Sequence, residues 1–304
     1  MKRGSGRGLV VPMFGVCCLA LGAGAGADDA PSPSPSPSGS PMPSASGPCA
    51  AAALPSIAVR PGLGRAPATG GAVCVAPPGG LIVGVGYRAQ ATTGVGRQEL
   101  TVYPDPVLLI GVGAASELIL SPGLIVSRRT GVDGGLPPVN GQQDAGFGIQ
   151  HVLDDRPWAQ QALALFVTLP TGFPAGPAGF SAGAPAYTLS YNLAFPLGPR
   201  FGLSTSQGLL LSSGRNPSGA QHRYAGYQES VNFSYSVSPS TILLLEDQIT
   251  APTAPRGPTG NRALLGVQRS LSPNLVLDAE YELNLLPAPG FRQHAFGAGL
   301  TFRP

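Results

Sequence analysis

Asp278, Glu280 and Glu282 recur at every second position between Leu275 and Leu285, so an extended chain presents all three carboxylates on one face. Leu275, Leu277, Ala279, Tyr281, Leu283 and Leu285 occupy the other face. Like charges in one column repel and need water or cations around them. Arg88 and Arg262 are the candidate balancing cations, because each shares parity with the small or polar face of its own segment. Uncharged polar groups follow the same period: Ser190 and Asn192 alternate with Tyr187, Leu189, Tyr191, Leu193 and Phe195, and Asn232 and Ser234 alternate with Val231, Phe233, Tyr235 and Val237. Such groups on one face of a strand can solvate a passing solute. A carboxylate column not fully neutralised predicts a mild cation preference that falls as salt rises.

Catalytic chemistry has little support. The three histidines are His151, His222 and His294, and no GxSxG, HExxH or P-loop spacing occurs. His151 and His294 share parity with Phe147, Ile149, Phe296 and Leu300 and belong to an apolar face, whereas His222, beside Arg223, reads as a solvated residue of a long loop. The expectation is a non-enzyme with no cofactor and no metal site. Cys49 and Cys74 sit neither in a CxxC pair nor near a histidine. They read as a disulfide or as two free thiols, and an oxidising compartment favours the bridge.

That compartment follows from the amino terminus. Lys2, Arg3 and Arg7 precede an apolar run over 9–21, and Ala25-Gly26-Ala27 forms a small-x-small cleavage site, so 1–27 reads as a secretory signal peptide. Residues 28–48 form a Ser/Pro-rich tail that cannot build a core. The stretch 49–80 is rich in Ala, Gly and Pro without periodicity and is expected as an irregular periplasmic segment; 81–304 is the organised part. With 44 Gly, 34 Pro and 11% charged residues among 304, the chain is neither a coiled coil nor an ordinary helical enzyme. Beyond the leader, arginines and acids balance, which excludes a nucleic-acid partner.

Period-two alternation dominates from Leu81 onward, and the connections alternate in length. Tight ones are expected at 121–123, 154–157, 197–200, 238–240 and 272–274, and long ones at 130–143, 170–185, 213–224 and 251–261. The stretch 157–199 contains no Asp, Glu, Lys or Arg, yet its prolines forbid membrane helices. Hydrocarbon tolerates no unpaired backbone, which leaves a closed barrel. The reading is an all-β fold: a transmembrane antiparallel up-and-down β-barrel of about 12 strands in a bacterial outer membrane, with short periplasmic turns and long external loops. Eleven strands are expected from Phe302 back to one spanning 108–120, with a twelfth near 81–90. Residues 97–103 could be a short strand or part of the first external loop. The last strand, with Phe296, Leu300 and Phe302 on one face, is of the type read by barrel-assembly machinery, although Arg303 and Pro304 follow it.

Three segments carry a family resemblance: Gln161 to Leu169 running into Pro170-Thr171-Gly172, the stretch Glu99 to Pro106, and Asp144-Ala-Gly-Phe-Gly148. Over about 81–302 the chain resembles the outer-membrane transporter family associated with the meta-cleavage pathway of phenol degradation. That resemblance implies a barrel passing small, often hydrophobic or aromatic compounds, with no catalytic residues to assign. Partners are then outer-membrane lipid, the assembly machinery and a small-molecule solute. The alternative is a structural or surface-interaction barrel with a plugged lumen.

Overall fold

A computed structural model describes residues 74–93, 98–123, 125–130, 139–156, 158–173, 183–215, 221–251, 260–285 and 292–302. The expected signal peptide, the Ser/Pro tail and Cys49 lie outside the described residues. The described strands are β1 (Leu81–Thr93), β2 (Gln98–Gly111), β3 (Ser116–Ser121), β4 (Ile125–Thr130), β5 (Val139–Gln142), β6 (Gly146–Arg156), β7 (Ala159–Thr168), β8 (Ala186–Pro196), β9 (Phe201–Arg215), β10 (Gln221–Ser238), β11 (Thr241–Thr250), β12 (Gly260–Ser272), β13 (Leu275–Asn284) and β14 (Arg292–Phe302).

Neighbours pair antiparallel, and β1 pairs with both β2 and β14, from Val83 opposite Phe302 to Thr93 opposite Arg292, so the sheet closes on itself. β3 and β4 lie along the two ends of β2, and β6 and β5 lie beside them in turn. Each of these two pairs is therefore one interrupted span, and the wall is a closed antiparallel barrel of twelve spans. Closure removes sheet edges, as a lipid surrounding requires.

The expected number of spans is met, but one expected turn is misplaced. The chain reverses between β2 and β3 at 112–115, where Val112 N–H donates to Ser116 O at 3.0 Å, so 108–120 is a hairpin rather than one strand. Ser121-Pro122-Gly123, chemically a turn, instead interrupts a span that continues in the same direction. The reason lies in the neighbours. Pro104 and Pro106 of β2 stand at the height of Pro122, since Leu108 faces Leu120 and Val102 faces Val126. Prolines on both strands remove the donors that would bridge them. On the other side the gap between β5 and β6 matches, and Gln142 Nε2 donates to Pro122 O at 3.4 Å. Residues 98–103 belong to β2, and His222 lies in β10 rather than in a loop.

Apolar side chains face outward along the wall, among them Leu189, Leu209, Leu245, Leu265, Leu277 and Tyr281, all exposed. Trp158, Phe201 and Phe302 are exposed near the tight-turn end, and Phe173, Tyr187 and Tyr227 toward the other, as expected of aromatic girdles at two interfaces. An uncovered belt of this extent is stable only against hydrocarbon. The protein is an outer-membrane β-barrel.

Candidate functional site

The barrel interior is the candidate site, and its wall divides into three sectors. The first runs from β11 to β1. Asp278, Glu280 and Glu282 of β13 point inward and are buried, as is Arg88 of β1; Arg262 of β12 lies on the same face and is partly buried. Glu282 stands between the two guanidinium groups: Arg88 Nη2 donates to its Oε2 at 3.3 Å and Arg262 Nη1 to its Oε1 at 3.0 Å. Arg88 also donates to Gln90 Oε1 at 3.3 Å, and Arg262 to Gln248 Oε1 at 2.7 Å, so the network runs from β1 to β11.

Arg88 reaches β13 across β14 because β14 presents small residues there. Gly297 faces both Arg88 and Glu280, and Ala295 faces both Gln90 and Glu282. A Cβ at Gly297 would stand 2.6 Å from Glu280 Oε1, so the glutamate lies against bare backbone. Glu246 of β11 is buried in the same sector. Sequence reasoning passed over Glu246 and Gln248 because β11 mixes apolar and acidic residues on both faces; the ladder with β12, which sets Gln248 opposite Arg262, decides which face is inside.

The second sector carries no charge. Ser190 and Asn192 of β8, Ser204 and Ser206 of β9, and Ser230, Asn232 and Ser234 of β10 are all buried. Asn192 faces Ser206, which faces Ser230; Ser204 faces Asn232. Among the described residues, Ser190 Oγ, both amide atoms of Asn192 and Ser204 Oγ have no hydrogen-bond partner.

The third sector, on β2, β3 and β7, holds an apolar cluster beside the buried Glu117: Val107, Leu109, Ile119, Ala164 and Phe166 pack together. The Phe166 ring lies over Gly146 and Gly148 of β6, occupying the space their side chains would need. Ala76, ahead of the first strand, completes this cluster and is fully buried. Its N–H donates to Glu117 Oε2 at 2.7 Å, and Gln150 Nε2 donates to Cys74 O at 3.3 Å. The backbone of Ala76 and Pro77 passes where a Gly111 Cβ would be, so only glycine admits it. Pro77 to Gly80 then forms a β-turn, with Gly80 N–H to Pro77 O at 2.7 Å and Gly79 at φ +71°, which returns the chain to β1. Cys74 is disulfide-bonded. Nothing periodic in 74–80 announces a segment inside the barrel, and Glu117, Gln150 and Gly111 acquire their roles only through it.

His151 and His294 point outward. His151 Nδ1 hydrogen-bonds Ser116 Oγ at 2.8 Å, and His294 stacks on Tyr281 with centroids 6.5 Å apart. Neither approaches the interior groups.

No family model matches the chain, and no curated protein matches it in sequence. Among solved structures it is similar to an outer membrane channel from Pseudomonas putida F1, with 15% identity, a TM-score of 0.63, and coverage of 75% of this chain and 96% of that one. Lower similarity extends to the NanC porin, at 9% identity and TM-score 0.47 over 72% of this chain and 98% of that one. The translocator domain of the autotransporter NalP from Neisseria meningitidis gives 10% identity and TM-score 0.47, over 74% and 88%. At these identities the likeness concerns the fold.

Proposed function

We propose that the barrel passes small solutes across the outer membrane, hydrophobic or aromatic compounds among them, without catalysing a reaction. The observation that carries this reading is the divided inner wall. Outer-membrane barrels carry polar interiors whether open or plugged, so what distinguishes this one is how its lining is divided. Here a charged network, an uncharged polar strip and an apolar cluster line one interior, a surface suited to a solute with both polar and apolar parts. The resemblance of 81–302 to the phenol-degradation transporter family and the fold of the Pseudomonas putida channel agree with it.

In this reading residues 1–27 direct export, 28–48 form a tail, 49–80 lead into the barrel with Cys49 as the partner of Cys74, and assembly machinery inserts 81–304 into lipid. Asp278, Glu280, Glu282, Arg88, Arg262, Ser190, Asn192 and Asn232 line the solute path. One observation favours a closed lumen instead: Ala76 is packed inside the wall and the polar residues around the interior are almost fully buried. Planar-bilayer recording of the full-length protein, with a liposome-swelling panel of sugars, amino acids, aromatic acids and neutral aromatics, tests the proposal. Conducting steps and selective swelling are expected. An inserted but silent protein that admits none of the panel would establish the plugged, structural barrel.

A further inference from the structure

We infer that the β9–β10 hairpin, where it rises beyond the neighbouring wall, is a docking surface for the phosphate-bearing headgroup of an outer-leaflet lipid. This goes beyond solute passage and does not depend on it. β11 ends at Thr250 opposite Gln228, and β8 begins at Ala186 opposite Ser212, whereas β9 and β10 stay paired as far as Arg215 opposite Gln221. Six residues of β10, 221–226, therefore continue past the last rung shared with β11 for about 20 Å along the strand. The long connections lie at this end of the barrel, which is the external end in proteins of this architecture.

The outward side of the hairpin changes chemistry with height. Leu209 faces Tyr227, Leu211 faces Ala225 and Ser213 faces Arg223, and pairs two positions apart share a face. Leu209, Leu211 and Tyr227 are exposed on the lipid side, so the column passes from aliphatic side chains through a phenol of the external girdle to an exposed arginine. That order matches a lipid met along its length, from acyl chain through interface to charged headgroup. Arg215, opposite Gln221, is the diagonal neighbour of Arg223, and such positions lie about 7–8 Å apart. Two arginines at that spacing can bring their guanidinium groups to one phosphate, whose geometry suits arginine's planar fork.

The charge balance selects an anion. No Asp or Glu occurs in 208–228, which holds Arg215, His222 and Arg223. Two outward acids lie on the hydrocarbon side of the girdle: Glu229 accepts a hydrogen bond from the Tyr227 hydroxyl at 3.5 Å, and Asp247 of β11 stands opposite Val231. They repel phosphate from below and leave the level of the arginines as its place. The tight-turn end differs, because Arg156 there is paired with Asp154 at 2.9 Å and Asp155 lies between them in sequence. A soluble anion would use the arginines alone. The exposed leucines and Tyr227 directly beneath them add apolar contact that a lipid can use.

The test titrates the full-length protein, folded in detergent, with fluorescently labelled lipopolysaccharide. R215Q/R223Q is compared with R200Q/R269Q, which removes two exposed arginines from the tight-turn end and so loses the same charge. Wild type should bind about ten-fold more tightly than R215Q/R223Q and within about two-fold of R200Q/R269Q. Dephosphorylated lipopolysaccharide should bind all three proteins alike, at the weak level that R215Q/R223Q shows for the intact lipid. An excess of inorganic phosphate should leave wild-type binding unchanged. Equal affinities of all three proteins for the intact lipid, the same loss in both variants, or undiminished binding of the dephosphorylated lipid would overturn the inference. Displacement by inorganic phosphate would overturn it too, by showing a site for free anions. Should R215Q/R223Q lose heat-modifiable migration, R223Q alone supplies the reading, with about a three-fold loss expected and none overturning the inference. No readout here requires transport, so a failed swelling panel would refute passage and leave this surface standing.

Discussion

The β11 to β1 wall and the β8 to β10 wall bury comparable polar side chains in opposite ways. On the first, Glu282 is held by Arg88 and Arg262, and each arginine has a second partner. On the second, the side chains of Ser190, Asn192 and Ser204 are buried without hydrogen-bond partners among the described residues. Around Glu282 the first wall is tied together by ion pairs and should behave as structure as well as lining. The second stores unmet bonding capacity. A substitution of similar size should therefore have opposite consequences on the two sides, which separates lining that holds the barrel from lining that meets a solute.

The largest effect is expected from E282L. It leaves two guanidinium groups without their shared carboxylate, and removing one partner of a buried pair costs about 3–5 kcal/mol. Denaturant unfolding in lipid vesicles, followed by heat-modifiable migration, should show that loss, whereas N192L under the same conditions should show none. Equal losses for both would erase the contrast between the walls. Next in size is L245R on the exposed outer face, where an arginine near mid-bilayer costs about 2–4 kcal/mol. Were L245R neutral, the exterior would not be the lipid face and both interior readings would fail with it.

The third prediction concerns the apolar sector. E117Q weakens the bond from Ala76 N–H, and an intramolecular hydrogen bond contributes about 0.5–1.5 kcal/mol. If the 74–77 segment occludes the lumen, E117Q should raise the time spent conducting in planar bilayers by about ten-fold. G111L, which places a side chain where Ala76 and Pro77 now pass, should act in the same direction. Unchanged gating in both variants would show that the segment is not the closing element.

How much of this was legible beforehand depended on whether the signal was periodic or chemical. Alternation in 187–195, 227–237 and 275–285 was enough to orient β8, β10 and β13, because side chains two apart must share a face. Turn chemistry misled at Ser121-Pro122-Gly123: the same residues that make a turn also make a matched break when prolines stand opposite, and only the partner strand distinguishes them. The true reversal at 112–115 has just one strong turn residue, Gly113. The reach of Arg88 over Gly297 and Ala295 depends on which strands are neighbours. That Arg88 meets Glu282, 194 positions away, follows from closure of the barrel and is written in no local pattern.

The smallest predicted effect tests the charge of the first wall without disturbing its structure. Inward on β11 to β14 and β1, Glu246, Asp278, Glu280 and Glu282 face Arg88 and Arg262, a formal excess of acid. Glu282 is committed to both arginines, so the excess resides on the other three carboxylates. D278N/E280Q keeps the Glu282 network and lowers the charge alone. In a salt gradient, wild type should show a reversal potential of mild cation preference, and the double variant should shift toward neutrality by roughly two-fold in permeability ratio, because water and mobile ions in the lumen screen the field. The shift should shrink as the mean salt concentration rises, since screening then hides both proteins' charge equally. An unchanged reversal potential at low salt, in a channel that still conducts, would mean that the solute path avoids β13 and runs along the uncharged wall. A large gain in conductance would mean instead that these carboxylates help close the lumen.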